Sequence, residues 1–280
     1  MNYRSFHYAE DGGVALLTLD DEGTRNALSA LFWREIKDVF AEIARTSTVR
    51  VVVLRAEGPH FSSGIDRAML ASLFAPRPEL EEGRRRDLFR RMVLDLQDSI
   101  NVLEACDVPV LAAIQGACIG GALDLICAAD CRFAADEAFF CVKETELGFT
   151  ADLGVLQRLP KLVPPGIARE LAYSSRAMKA QEALSHGLVN SVYSNKAKLD
   201  EAVMALAKTI AARSPLAITG AKDAFRYGAE HNTQDALKQM AVWQAGMALT
   251  NDVQKAVSAA AHGDVPEFDN MPRAVSLFPK

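Results

Sequence analysis

Val49 to Arg55 carries valine at four of its seven positions and ends in a glycine-containing loop. Such a run has no polar face, so as a strand it must be covered on both sides. That is the environment of a central strand in a parallel sheet flanked by helices. This one segment commits the chain to an α/β architecture, because the covering layers have to come from elsewhere in the sequence.

The neighbouring text supplies them. Val14 to Leu19 reads as another strand and Asp20 to Thr24 as a turn. Ser29 suits the N-cap of a helix running to about Arg45, in which Phe32, Ile36, Val39, Phe40 and Ile43 recur at helical spacing. Residues 67 to 83 are irregular, with Pro76, Pro78 and Gly83, and a long helix is expected over 84 to 105. Val108 to Ile114 reads as a strand, followed by a glycine-rich turn and a helix from about Gly120 to Ala129. Short strands are expected near Cys131 to Ala134, Phe139 to Lys143 and Leu188 to Tyr193. Ala-rich helices at about 197–213, 215–229, 232–249 and 250–262 have no strand of their own to cover, and should bury their apolar faces on the core or on a second subunit. No low-complexity linker intervenes. The expected division is a core over 1–205 and a helical region over 206–280.

Composition narrows the function classes. Of 280 residues, 50% are hydrophobic and 24% charged, as in an ordinary globular protein. The net charge of −5 argues against non-specific nucleic-acid binding, which needs a basic face. The longest apolar stretch, Val108 to Ala129, is interrupted by Gln115, three glycines and Asp124, so no membrane span is expected. Residues 1–10 hold no apolar signal core, and the ending Ser276–Lys280 is not Ser-Lys-Leu. Cys106, Cys118, Cys127, Cys131 and Cys141 are odd in number and lack zinc-site spacing. They read as small core residues in a reducing compartment, with the cytoplasm as the expectation.

Four segments could carry chemistry. Phe61-Ser62-Ser63-Gly64-Ile65-Asp66 follows a buried strand, and its small residues let backbone approach a ligand. It could equally be a tight turn. Ser62 and Ser63 lack the flanks of a Gly-x-Ser-x-Gly nucleophile elbow. Gly116 to Asp124 follows a strand and opens a helix, leaving free N–H groups at the positive end of the dipole. Glycines at 116, 120 and 121 do not have dinucleotide-binding spacing. Gly121 and Asp124 share a helix face, although Asp124 also suits a first-turn acid. Glu144 and Glu146 follow a strand that is expected to reach Lys143, and one of the two is expected to face inward. Asp152, just before a helix, is either a functional acid or an N-cap.

In combination these segments resemble the crotonase (enoyl-CoA hydratase/isomerase) superfamily. Arg25-Asn26-Ala27-Leu28, Ser63-Gly64-Ile65-Asp66, Ile119-Gly120-Gly121-Ala122 and Gln157-Arg158-Leu159 are its signposts, in family order. Phe32-Trp33-Arg34-Glu35 and an acid at 152, where hydratases have glycine, make the dienoyl-CoA isomerase branch the nearest in pattern. The resemblance implies a spiral of stacked β-β-α units with a C-terminal helical oligomerisation region, assembled as trimers or dimers of trimers. It implies an acyl-CoA substrate in fatty-acid β-oxidation and no metal or redox cofactor. It makes Asp124, Glu144 and Asp152 the catalytic carboxylates and the N–H groups of Ile65 and Gly121 the oxyanion hole. It places acyl-CoA against Arg25, Ala27, Ser63, Gly64, Ile65, Asp66, Arg67, Ala68, Gly120 and Gly121. Departures are Ala122 at a family glycine and Ala260 where hydratases close an aromatic over CoA. Two alternatives are an enoyl-CoA hydratase and a non-catalytic binding protein of the same fold. The Arg84–Arg86 and Arg90–Arg91 cluster reads as a solvated helix face, or as a neighbour of the CoA phosphates or of a subunit boundary.

Overall fold

A computed structural model describes residues 3–247 and 250–272. The ending Ser276–Lys280, and the last two residues of the helix expected to reach 249, lie outside the described residues. In chain order the elements are β1 (His7–Asp11), β2 (Val14–Leu19), α1 (Ala30–Ile43), β3 (Val51–Ala56), α2 (Arg67–Leu73), α3 (Glu82–Ala105), β4 (Val110–Ile114), β5 (Ala117–Ile119), α4 (Gly121–Cys127), β6 (Cys131–Ala135) and β7 (Phe139–Cys141). They continue with α5 (Val155–Leu162), α6 (Pro165–Ser174), β8 (Met178–Lys179), α7 (Ala180–Ser185), β9 (Ser191–Tyr193), α8 (Lys196–Ala211), α9 (Pro215–Gly228), α10 (Thr233–Met247) and α11 (Asn251–His262). A 3-10 turn spans Glu144–Leu147.

Two sheets result. The larger has the order β1-β2-β3-β4-β6-β9 and the smaller β5-β7-β8. Every pairing of the large sheet is parallel except β1 with β2. The chain passes from the large sheet to the small one within the turn between β4 and β5, and again between β6 and β7. The β4-β5-α4 and β6-β7 units therefore each contribute one strand to each layer, whereas β1 and β2 both belong to the large sheet. β1 was not expected; its exposed residues have no hydrophobic alternation to announce a strand, and it is an edge held by the hairpin to β2.

The central run behaves as its composition requires. Val52 and Leu54 face one apolar cluster, with α1, α3 and α4. Val51 and Val53 face another, built with Leu199, Val203, Ala207 and Ala211 of α8. This corrects one expectation: α8 does have strands to cover. It is the second helical layer that a parallel sheet demands. It also runs through residue 205, the boundary expected between core and C-terminal region.

The later helices are tied back by polar contacts. Lys222 of α9, almost wholly buried, reaches Asp130 Oδ2 at 2.7 Å and donates to the carbonyls of Val108 and Leu103. Arg50 donates to the carbonyls of Ala211 and Phe268. The arginine cluster of α3 is a solvated face largely neutralised in place: Arg84 pairs with Glu81, Arg86 with Glu82, and Arg90 and Arg91 with Asp87.

Candidate active site

The first loop is built around Asn26. Arg25 and Asn26 both adopt left-handed backbone, φ 58° and 55°, a region in which asparagine is better tolerated than most residues. The Asn26 amide donates to the carbonyls of Glu57 and His60, both at 2.9 Å, and its Oδ1 accepts from Asp21 N–H. Ser62 donates its hydroxyl to Asn26 O at 2.7 Å and accepts from Gly64 N–H. Its buried hydroxyl is thus a structural tie and not a nucleophile. Leu28 then pairs in parallel with the loop, donating to Gly64 O and accepting from Asp66 N–H. In parallel pairing those two bonds flank Ile65 and turn its own N–H away from Leu28.

The second loop comes from β5 into α4. Ser62 N–H donates to Ala117 O, and Ile119 N–H to Ser62 O, so the two loops run side by side. They touch closely at Gly64. A Cβ there would lie 2.5 Å from Ile119 O and 3.6 Å from Gly121 N, and φ is +91°. Only glycine fits. Gly121 is the first residue of α4, where a helix leaves its N–H unsatisfied. Among the described residues, neither Ile65 N–H nor Gly121 N–H has a protein acceptor. Two free donors on adjoining loops form an arrangement that can hold an anionic oxygen.

The three carboxylates converge beside these loops. Asp124, on the first turn of α4, is 1% exposed. Its Oδ1 accepts from Val155 N–H at 2.6 Å and its Oδ2 has no partner. Glu144 is also buried, and its Oε2 is likewise unpartnered. Gly120, at φ +54°, makes room for it, since a Cβ there would meet Glu144 Oε1 at 3.2 Å. Of the three buried side-chain polar atoms without a partner among the described residues, two are therefore carboxylate oxygens of this site. Asp152 is half-buried, and its carbonyl accepts from Gln97 of α3 at 2.6 Å. Burial pushes the Asp124 carboxyl well above the usual range, and the charges of Glu144 and then Asp152 push it further. Burial raises Glu144, with Asp152 adding to it, and burial raises Asp152. Burial and the neighbouring carboxylates thus oppose ionisation across the cluster.

Two expectations need correction. β7 ends at Cys141, short of the Lys143 expected, so neither Glu144 nor Glu146 adjoins the strand. They start a 3-10 turn that sends Glu144 inward and leaves Glu146 outside, paired with Lys143 at 2.5 Å. Asp152 is not the N-cap of α5. Gly154 holds that position without a side-chain bond, and Asp124 caps the helix from α4 instead. A side chain 31 residues away supplies the acceptor, which no local pattern announces.

Of the other candidates, Arg25 lies against Ser63, whose N–H donates to Arg25 O, and Ala27 N–H donates to Thr24 Oγ1. Asp66 caps α2, its Oδ1 accepting from Met69 N–H at 3.0 Å. Arg67 and Ala68 are exposed on the first turn of α2, and Ala260 is exposed on α11. Asn26 and Gln97 were absent from the expected site. Asn26 stood inside a signpost that could have identified it, whereas Gln97 carries no signal in a polar helix sequence.

Comparison with known proteins agrees with this geometry. The family model described as enoyl-CoA hydratase/isomerase matches residues 9–270. A mitochondrial Delta(3,5)-Delta(2,4)-dienoyl-CoA isomerase of Mus musculus is 40% identical over 237 residues, covering 84% of this chain and 72% of that protein. A peroxisomal Delta(3,5)-Delta(2,4)-dienoyl-CoA isomerase of Arabidopsis thaliana is 38% identical over 259 residues, covering 92% and 93%. The crystal structure of an enoyl-CoA hydratase from Bacillus anthracis superposes with a TM-score of 0.86 at 28% identity, over 95% of this chain and 99% of that one. With the family pattern matched over nearly its whole length and the loops and acids arranged as described, this chain belongs to the enoyl-CoA hydratase/isomerase family.

Proposed function

We propose that the protein is an isomerase that converts 3,5-dienoyl-CoA to 2,4-dienoyl-CoA thioesters, a step in the β-oxidation of unsaturated acyl chains. The observation that carries this reading is the third carboxylate. Asp152 joins Glu144 and Asp124 in one electrostatically coupled, largely buried cluster beside two free N–H donors. Its relatives named as dienoyl-CoA isomerases support the same choice of substrate.

The chemistry follows from the reaction's needs. A C2 proton of a thioester is weakly acidic, and removing it builds charge on the thioester oxygen. Ile65 and Gly121 N–H stabilise that oxygen as the charge develops. Glu144, with its free buried oxygen, takes the C2 proton. The proton returned at C6 is four carbons further along the chain, which calls for a second, separated acid; Asp152 has that role. Asp124 fixes the turn that carries Asp152 and keeps the cluster short of full ionisation. No metal or redox cofactor enters this scheme; CoA is part of the substrate, whose contacts we assign to Arg25, Ala27, residues 63–68 and residues 120–121.

A hydratase reading has one observation in its favour, the close superposition on a solved enoyl-CoA hydratase. It would use Asp124 and Glu144 to position water, but one Asp124 oxygen is already committed to Val155 N–H. Offering a 3,5-dienoyl-CoA and a 2-enoyl-CoA side by side separates the two. Growth of conjugated-dienoyl absorbance from the first, with at most slow hydration of the second, is expected. Faster hydration would replace the isomerase reading.

The assembly belongs to the same reading. Phe225 is 80% exposed on α9, and Leu237, Val242 and Val257 stand out from α10 and α11. Such side chains mark an association surface, so residues 206–280 would join subunits as a trimer or a dimer of trimers. Sedimentation should give a species of at least three chains; a stable, active monomer would contradict it. No helix among the described residues is long and apolar enough to cross a membrane. Five free thiols favour a reducing compartment, with the cytoplasm as our assignment, and the scheme has no use for nucleic acid.

A further inference from the structure

We propose that Trp33 is a positioning residue for the oxyanion hole: its indole is the wedge that sets the separation of the Ile65 and Gly121 N–H donors. The inference rests on the oxyanion-hole part of the reading above, and it concerns a side chain that no step of the scheme uses.

Trp33 is buried on α1, far in sequence from both loops. Its Nε1–H donates to Leu28 O at 3.1 Å. That carbonyl is the same one that accepts from Asp66 N–H, the bond on one side of Ile65. The indole therefore fixes the strand-like segment against which the first donor is oriented. Beside that nitrogen, the ring carbon Cζ2 packs toward Gly121, which carries the second donor. A Cβ built on Gly121 would lie 3.0 Å from Ile65 Cγ1 and 3.5 Å from Trp33 Cζ2. Gly121, Ile65 and the indole thus meet at one point, where an added methyl group would be tight against Ile65 and in van der Waals contact with the indole.

The ring itself is held. Phe32 packs edge-on to it with centroids 5.5 Å apart, and Ser99 of α3 donates to Trp33 O at 2.8 Å. One edge of one rigid side chain therefore serves both halves of the site, its Nε1–H bonding to Leu28 O and the nearby Cζ2 packing toward Gly121. Rigid support is what such donors require. A displacement of about 1 Å at a reacting group costs on the order of 100-fold in rate, and loss of one oxyanion donor costs on the order of 100- to 1,000-fold.

The test compares Trp33→Phe, which keeps an apolar wedge without the Leu28 bond, with Trp33→Leu, which loses both. Phe40→Leu is the structural control, buried in the same helix two turns on. The readouts are kcat on a 3,5-dienoyl-CoA, and the dissociation constant and absorbance red shift of bound 2,4-hexadienoyl-CoA. Donors on the thioester oxygen polarise that conjugated chain, so the red shift reports their geometry without any turnover. We expect kcat to fall about tenfold in Trp33→Phe and up to about 100-fold in Trp33→Leu. The red shift should shrink in the same order, with affinity changed by no more than about threefold. Phe40→Leu should lower Tm and leave kcat and the red shift alone.

The inference is overturned if both Trp33 variants keep parental kcat and red shift, or if Phe40→Leu loses as much as Trp33→Leu. If Trp33→Leu does not fold, Trp33→Phe decides by the same readouts. A parent that shifts the bound dienoyl spectrum but does not isomerise would remove the isomerase reading and leave Trp33 to be judged by the spectrum. A parent that produces no red shift would overturn the inference itself.

Discussion

Replacing Asp152 by Asn is expected to slow isomerisation of a 3,5-dienoyl-CoA by about 100-fold or more, the usual scale for loss of a general acid–base group. The substitution keeps size and hydrogen-bonding capacity. The Gln97 contact is made to the Asp152 backbone carbonyl, so it survives. The turn into α5 survives as well, because its cap is Asp124. What is lost is the proton for C6. Exchange of the C2 proton with heavy water should be affected much less, since Glu144 and both N–H donors remain. Glu144→Gln should suppress exchange and isomerisation together.

The pH profile supplies a second reading of the same variant. Burial holds the Glu144 carboxyl above the ordinary carboxylate range, and the Asp152 charge raises it further. A base must be deprotonated to act, so the acid limb of the parent's profile should lie above the pH expected of a free glutamate. Removing the Asp152 charge lowers the Glu144 value, and the acid limb of C2 exchange should move to lower pH in Asp152→Asn. A variant that isomerises at the parental rate would make Asp152 dispensable and put the hydratase reading first.

Gly121→Pro is expected to abolish measurable turnover, with a loss of at least 100- to 1,000-fold in kcat for the missing donor. Proline is well tolerated at the first position of a helix, and Gly121 N–H makes no protein hydrogen bond that the fold would miss. The ring does add bulk where Ile65 Cγ1 stands 3.0 Å from the position of a new Cβ. Gly121→Ala separates the two effects, because it adds a Cβ and keeps the N–H. Ile65 Cγ1 belongs to a flexible side chain that can yield a few tenths of an ångström, so the alanine variant should lose about tenfold at most. Measured on purified, folded protein, a proline variant no worse than the alanine variant would mean that the Gly121 N–H is not used.

Much of this site could be read from the chain alone. The Val51–Val53 run required a sheet covered on both faces. Glycines at 64, 120 and 121 marked loops of close backbone approach, and the acids at 124, 144 and 152 fell beside them at separations that fit the family pattern. These features are local, because they depend on what a residue's own backbone can adopt and on which face of its own element it occupies. The tertiary structure decided what depends on distant partners. It placed Glu144 inside by ending β7 early and starting a 3-10 turn. It gave the capping of α5 to Asp124 in place of Asp152. It assigned α8 to the open face of the sheet, and it brought Asn26 to the Glu57 and His60 carbonyls and Trp33 to Gly121, partners some thirty or more residues away. Sequence periodicity says that a side chain turns inward. Which carbonyl or carboxylate it meets there is fixed by packing between segments remote in the chain, because burial leaves each polar group only the partners that the assembled layers bring within hydrogen-bond reach.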